Sequence, residues 1–383
     1  TFAGASQFDA ASQFDSYVAR EGRDLQNFAT WCALAETYPG GWQGWPEPFR
    51  TPDSPAVQRF RESHLERVRF HCWLQWLLDT QLAESCRALA IMQDLPIGVD
   101  AGGADAWAYS DVFAHGISIG APPDKFNTAG QDWGLPPFIP WKLRAAGYEP
   151  FIQTIRATLR HAGGLRIDHV AGLFRLFWVP SGLGPAQGAY VRSNSDELLA
   201  IVALESHRAN AFVVGEDLGT VEPGVSEKLQ RNGILSYRVF WFEKDPPSKY
   251  PELSLASIST HDLPTVAGMW TGSDLATQVR LELNPNEEET KICRDQIREM
   301  ACVDHSATVS EVSVQLHQLL GAAPSRIVTA QLDDALGVEE RPNFPATMGD
   351  KNPNWSIALP KLLEEIERDP IVRKVAEALR SGR

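Results

Sequence analysis

Three short apolar runs in this chain end in acids, and acids at strand ends can act as nucleophile, proton donor and charge stabiliser. The first run is Leu165-Arg166-Ile167-Asp168-His169. Strand alternation puts Arg166 and Asp168 on one face and Ile167 on the other. A guanidinium beside a carboxylate favours the ionised form, as a nucleophile requires. The same two residues would serve equally as a structural ion pair. The second run is Phe212-Val213-Val214-Gly215-Glu216-Asp217-Leu218-Gly219. Glu216 has no basic neighbour in sequence, so its pKa is free to rise, which suits a general acid. Asp217 reads first as a cap for a following helix. The third run ends Ser259-Thr260-His261-Asp262, where a His and an acid could hold hydroxyl groups. His261 reads equally as a satisfied core histidine.

Taken together, the three acids fit retaining glycoside chemistry. That chemistry needs one ionised carboxylate as nucleophile and one protonated carboxyl as acid and later base, about 5–5.5 Å apart. A third acid can hold a distorted sugar ring.

Residues far apart in sequence must then be brought together by regular elements. Apolar runs at 91–99, 165–170, 211–217, 234–240, 255–262 and 327–333 each end in polar residues. Helical stretches separate several of them, most clearly Asp196 to Ala209, with Asn194 and Glu197 as the start signal. Alternating strands and helices predict a parallel sheet. Such a sheet forms a (β/α)8 barrel, with its active site at the C-terminal strand ends, or a doubly wound sheet. No Gly-rich dinucleotide fingerprint follows a strand, which disfavours the second. Phe60 to Ala90 is predicted to be one long helix. Residues 1–58 are predicted to be irregular, since Trp42-Gln43-Gly44-Trp45-Pro46 and Pro48, Pro52 and Pro55 break helices.

The 383 residues are 43% hydrophobic, enough for a large core. A net charge of -14 argues against nucleic acid as partner. The five cysteines form no C-x-x-C pair, which fits a reducing compartment and disfavours a zinc site. No segment approaches the ~18 uninterrupted apolar residues of a membrane helix. Several of the 12 tryptophans, namely Trp42, Trp45, Trp133, Trp141 and Trp178, sit beside Gly or Pro or close to them. In loops their faces could stack on sugar rings, although ordinary packing is the simpler reading of any one of them.

The string Gly120-Ala121-Pro122-Pro123-Asp124-Lys125-Phe126, continuing Gly130-Gln131-Asp132-Trp133-Gly134-Leu135-Pro136-Pro137, resembles a signature of the 4-alpha-glucanotransferases. These enzymes are also called amylomaltases or disproportionating enzymes and form glycoside hydrolase family 77. The strings around Asp168, Glu216 and Asp262 match the same family in the same order. So do Trp73-Leu74-Gln75-Trp76, Arg341-Pro342-Asn343-Phe344-Pro345 and Pro353-Asn354-Trp355. The resemblance runs from about Trp31 to the C-terminus.

The resemblance implies a (β/α)8 TIM-type barrel with inserted helical and loop subdomains. Family members have two further strands before the region where this chain begins, so the six runs correspond to strands three to eight. The chain is expected to be N-terminally truncated relative to the family. Its organisation is expected to be an irregular or helical insertion at 1–58 and the catalytic barrel at 59–383. Asp168 resembles the family's nucleophile, Glu216 its general acid/base and Asp262 its transition-state stabiliser. Arg166, His169 and His261 resemble its sugar-binding residues, and Asp217 is grouped with them. Trp133 lies in the loop lining the donor groove, and Asn343 in the loop after the last strand. The implied activity is cofactor-free, cytoplasmic transfer of α-1,4-glucan segments between maltooligosaccharides, amylose or starch- and glycogen-derived chains. An α-glucan hydrolase using the same acids, or a non-catalytic glucan-binding fragment, are the alternatives.

Overall fold

The computed structural model describes residues 7–123, 129–219, 221–283, 285–345, 347 and 352–382. Asp124, Lys125 and Phe126 of the Gly120–Phe126 string lie outside the described residues. The chain divides into two compact units, Thr1–Ile234 and Leu235–Arg383.

The first unit begins with helices where irregular chain is predicted. Gln7–Thr37 is helical, with a non-helical Gly22 inside it. Its apolar periodicity is interrupted midway, where Gly22 leaves helical geometry. Yet Tyr17, Leu25, Ala29 and Leu34 recur on one face and are buried. They pack with Trp42, Trp45, Val57, Phe60, Val68, Cys72 and Trp107 in one apolar cluster. Trp42 and Trp45 are therefore core residues held by short 3-10 turns. Their indole N–H groups donate to the Ala101 and Tyr38 carbonyls, at 2.9 and 2.7 Å. The expected single helix from Phe60 to Ala90 is two, Pro55–Ser63 and Leu65–Ala88, separated at His64.

Two sheets follow in this unit. The strands are β1 (Met92–Leu95), β2 (Ile117–Ala121), β3 (Gln131–Asp132), β4 (Gly164–Ile167), β5 (Arg175–Pro180), β6 (Ala189–Arg192) and β7 (Phe212–Gly215). β4 lies between β1 and β7, parallel to both. Strands β3-β2-β5-β6 form a separate antiparallel sheet that the sequence reading lacks. The parallel sheet is fixed by its apolar side. Leu165 and Ile167 pack with Ile155 and Leu159 of helix Glu149–Leu159, and with Leu198, Leu199 and Val202 of helix Ser195–Ala209. Each such fully buried side chain contributes about 1.5–3 kcal/mol. With Ile167 committed to the helices, the pleat turns Arg166 to the other face.

In the second unit, which takes β8 (Ile234–Val239) from Leu235 on, β8 is parallel to β9 (Ser254–Ser257), itself parallel to β10 (Ile327–Val328). All four residues of β9 are buried. Helices Val266–Thr271, Ser273–Arg280, Glu287–Ala301, Val309–Gly321 and Pro370–Ser381 accompany these strands. All six expected strands are present, each shorter than its apolar run. No helix of the described residues is long and apolar enough to cross a membrane.

Candidate active site

β4 ends at Ile167, so Asp168 and His169 stand just past the strand. The register sets Arg166 directly opposite Asp94 of β1. Arg166 uses that neighbour: Nη1 donates to both carboxylate oxygens of Asp94, at 2.6 and 2.8 Å. Nη2 donates to Oδ1 of Asp168 at 2.8 Å. One guanidinium thus bridges two carboxylates. Its side chain is 12% exposed, against 36% for Asp168 and 48% for Asp94. Burial works against the Arg166 charge, but the carboxylates outweigh it and raise the pKa. An open, guanidinium-held carboxylate is what a nucleophile requires.

Glu216 stands just past β7, the neighbouring strand. Its carboxylate accepts from the backbone N–H of His169 at 2.8 Å and from that of Leu218 at 2.7 Å. The Val170 N–H donates to the Glu216 carbonyl at 2.9 Å, so the two strand ends are locked together. Gly215 permits this approach, because a Cβ there would lie 2.9 Å from the Val170 methyl groups. His169 itself takes a left-handed backbone conformation, φ 45°, which aims its N–H at Glu216. Burial pushes the Glu216 pKa up against the pull of the two backbone donors. The nearby Asp168 charge raises it further and Arg166 lowers it. Burial likewise lowers the His169 imidazole, favouring the neutral ring, with Asp168 opposing. Glu216 and Asp168 therefore sit side by side with environments that push one toward its protonated form and hold the other beside a cation.

Trp133 follows β3 and reaches the same place. Its ring meets His169 edge-on, centroids 5.8 Å apart. The Asp132 carboxylate fixes the loop, accepting from the Ser118 hydroxyl and, at 3.0 Å, from the Gly134 N–H. Of the other tryptophans, Trp178 lies in β5 and Trp141 in helix Pro140–Ala145. Asp217 is buried beside Glu216. It caps no helix: the next one, Val225–Arg231, begins after Gly224. The capping expectation fails because the N-cap position of that helix is taken by Gly224.

Asp262 lies in the second unit, past the end of β9. Asn343 Nδ2 donates to its Oδ1 at 2.6 Å, and His261 Nε2 is 3.2 Å from its Oδ2. The His261 ring sits 5.0 Å from Trp355, which is 66% exposed. Arg341 Nη1 donates to the Asp262 carbonyl at 2.6 Å. The same guanidinium grips Asp274 through Nε and Nη2, at 2.7 and 2.6 Å, in a pair only 7% and 4% exposed. Removing one partner would leave a buried charge uncompensated, at a cost of about 3–5 kcal/mol. Asp94, Asp274 and the role of Arg341 lie beyond what the motifs themselves point to. Asp94 carried a legible signal: an acid near the end of an apolar run. Asp274 carried none.

Among the described residues no three His, Cys, Asp or Glu side chains gather as a metal-binding group. In the first unit, an apolar cavity of about 160 Å³ lies behind Asp168 and His169, lined by Leu95, Ile97, Phe138, Phe151 and Leu173 among others.

Known proteins resemble this chain over most of its length. A family model described as 4-alpha-glucanotransferase matches residues 2–363. A 4-alpha-glucanotransferase of Mycobacterium tuberculosis is 45% identical over 403 aligned residues, covering 96% of this chain and 56% of that protein. One from Haemophilus influenzae is 34% identical, covering 94% and 55%. The chain thus spans little more than half the length of these relatives. The crystal structure of amylomaltase from Corynebacterium glutamicum superposes with TM-score 0.86 at 34% identity, over 99% of this chain and 57% of that one. An amylomaltase from Streptococcus agalactiae, solved in complex with acarbose, has the same fold, with TM-score 0.81 at 18% identity, over 97% and 74%. The fold is α/β and TIM-type, and the chain belongs to the 4-alpha-glucanotransferases, glycoside hydrolase family 77.

Proposed function

We propose that this chain carries the catalytic strand ends of a retaining 4-alpha-glucanotransferase. Glu216 protonates the glycosidic oxygen while Asp168 attacks the anomeric carbon, and the leaving glucan departs. The product is a β-linked glucosyl-enzyme on Asp168. Glu216, now a base, takes the proton from the 4-hydroxyl of a second glucan. That oxygen attacks, Asp168 leaves, and an α-1,4 bond is restored. Asp262 stabilises the charge that develops on the sugar in both steps. Arg166, His169, His261, Asp217 and Asn343 hold sugar hydroxyls, and Trp133 lines the donor groove. No step calls for a metal or an organic cofactor. In this reading residues 59–383 bear the barrel, and 1–58 are a helical insertion beside it.

The observation that carries the reading is the pairing at adjacent strand ends: Asp168 held by Arg166, and Glu216 half-buried and raised in pKa. Relatives across the same residues bear the matching name. Substrates are maltooligosaccharides and longer α-1,4-glucans. Cytoplasmic location is supported by five free cysteines.

Incubation with maltotriose and separation of products by size tests the proposal. Transfer gives glucose with a ladder of longer and shorter maltooligosaccharides. Glucose and maltose with nothing longer would mark hydrolysis instead, and no turnover by the folded chain would leave only binding.

A further inference from the structure

We infer that Arg341, anchored by Asp274, is a positioning residue for Asp262. The inference rests on the transferase reading only for the role of Asp262; the geometry is independent of it.

The segment 338–345 forms a bracket around the strand end that carries Asp262. Its first part is clamped to helix Val266–Thr271. The Thr265 hydroxyl donates to the Val338 carbonyl at 2.7 Å, and a Cβ on Gly268 would lie 2.5 Å from the Glu339 carbonyl. Further along, Asn343 holds His261 and Asp262 with one hydrogen bond each. Its N–H donates to the His261 carbonyl at 3.2 Å and its side-chain amide to the Asp262 carboxylate at 2.6 Å. The bracket is closed from outside by Trp355, whose N–H donates to the Pro342 carbonyl at 2.9 Å.

Arg341 sits at the centre of this bracket. Asp262 stands on a turn beyond β9, its N–H held by the Thr260 hydroxyl at 3.3 Å. Its carbonyl is held by Arg341 and its carboxylate by Asn343, two residues later on the same segment. The guanidinium cannot drift, because its two other donor nitrogens are spent on both oxygens of Asp274, a fork-to-fork geometry with a fixed orientation. Asp274 is itself set in the first turn of helix Ser273–Arg280 and accepts from Gln278 at 2.7 Å. The Phe344 ring closes the guanidinium face, with the Arg341 carbon 4.3 Å from its centroid. A lysine offers a point charge that cannot span Asp274 and the Asp262 carbonyl together. The pair therefore transmits the placement of a rigid helix to the carboxylate that meets the substrate.

The test compares the full chain with Arg341→Lys and, where that variant folds poorly, Asp274→Glu, which keeps the ion pair but displaces the guanidinium. Two readouts are taken on protein shown to be folded by its thermal transition. In maltotriose transfer, kcat should fall by about 10²-fold, since misplacement by 1 Å costs that much, with KM little changed. In a proton–nitrogen NMR spectrum, the Asn343 side-chain amide signal should move, in the direction seen for Asp262→Asn. Retention of kcat within twofold, a loss explained wholly by the unfolded fraction, or an unmoved Asn343 signal would each overturn the inference. The NMR readout decides the inference even if the wild-type chain turns over no maltotriose, an outcome that would sink the transferase reading alone.

Discussion

The backbone N–H of His169 donates to the Glu216 carboxylate at 2.8 Å, across two strand ends 47 residues apart in sequence. His169 does so from a left-handed conformation that costs a non-Gly residue about 1–2 kcal/mol. Replacement by glycine should relieve that strain and keep the bond. His169→Gly is expected to match or exceed wild-type stability, and His169→Val to lose about 1–2 kcal/mol, because a β-branched residue resists positive φ. Chemical denaturation of both variants checks this. Equal stabilities would remove the strain from the account.

The raised Glu216 pKa fixes the sign of a pH effect. Only the protonated form can deliver a proton to the leaving oxygen. Transfer is therefore expected to fall as pH rises through the elevated pKa. The group's contribution to stability is present below its unfolded pKa and is lost over the same rise. The neighbouring Asp168 charge helps to raise this pKa, so Glu216 should titrate at lower pH in Asp168→Asn. Carbon-13 NMR of the Glu216 carboxyl measures it directly. A shift upward in that variant would contradict the described electrostatics.

Asp94 should matter to rate more than to stability. Asp94 itself is half exposed and Arg166 keeps Asp168 as a partner, so Asp94→Asn is expected to cost no more than about 1 kcal/mol. The freed guanidinium would move relative to Asp168, and transfer should fall about tenfold. Steady-state kinetics beside a melting curve separates the two effects.

Gly120 explains part of the sequence signature in steric terms. A Cβ there would lie 2.0 Å from the Gln131 carbonyl and 2.9 Å from Val179, so β3 could not pair with β2. Gly120→Ala should push away the strand that delivers Trp133, raise KM for maltotriose severalfold and cost about 1–3 kcal/mol. Gly44→Ala, with nothing within 4 Å, is the control and should stay within about 0.5 kcal/mol of wild type.

The parallel strands were legible because each is an uninterrupted apolar run, and the acids beyond them stood out by contrast. Ile167 and Arg166 faced as alternation requires. The antiparallel sheet was not legible. Arg175–Pro180 pairs with Ala189–Arg192 and Ile117–Ala121, runs of at most four continuous apolar residues bounded or broken by Gly, Pro, Ser and Arg. Helix Gln7–Thr37 was not legible as one element because Gly22 breaks its helical periodicity midway. At the site, motif residues could be named, but their partners could not. Asp94 meets Arg166 only through strand register, and Asp274 meets Arg341 only through tertiary packing, 67 residues away.

The most direct test of the double displacement uses Glu216→Gln with α-maltosyl fluoride. Fluoride leaves without an acid, so the first step should proceed. The second lacks its base, so a maltosyl-enzyme should accumulate. Peptide mass spectrometry is expected to find the maltosyl group as an ester on Asp168. No adduct, or an adduct on any other residue, would contradict the assignment of Asp168 as nucleophile.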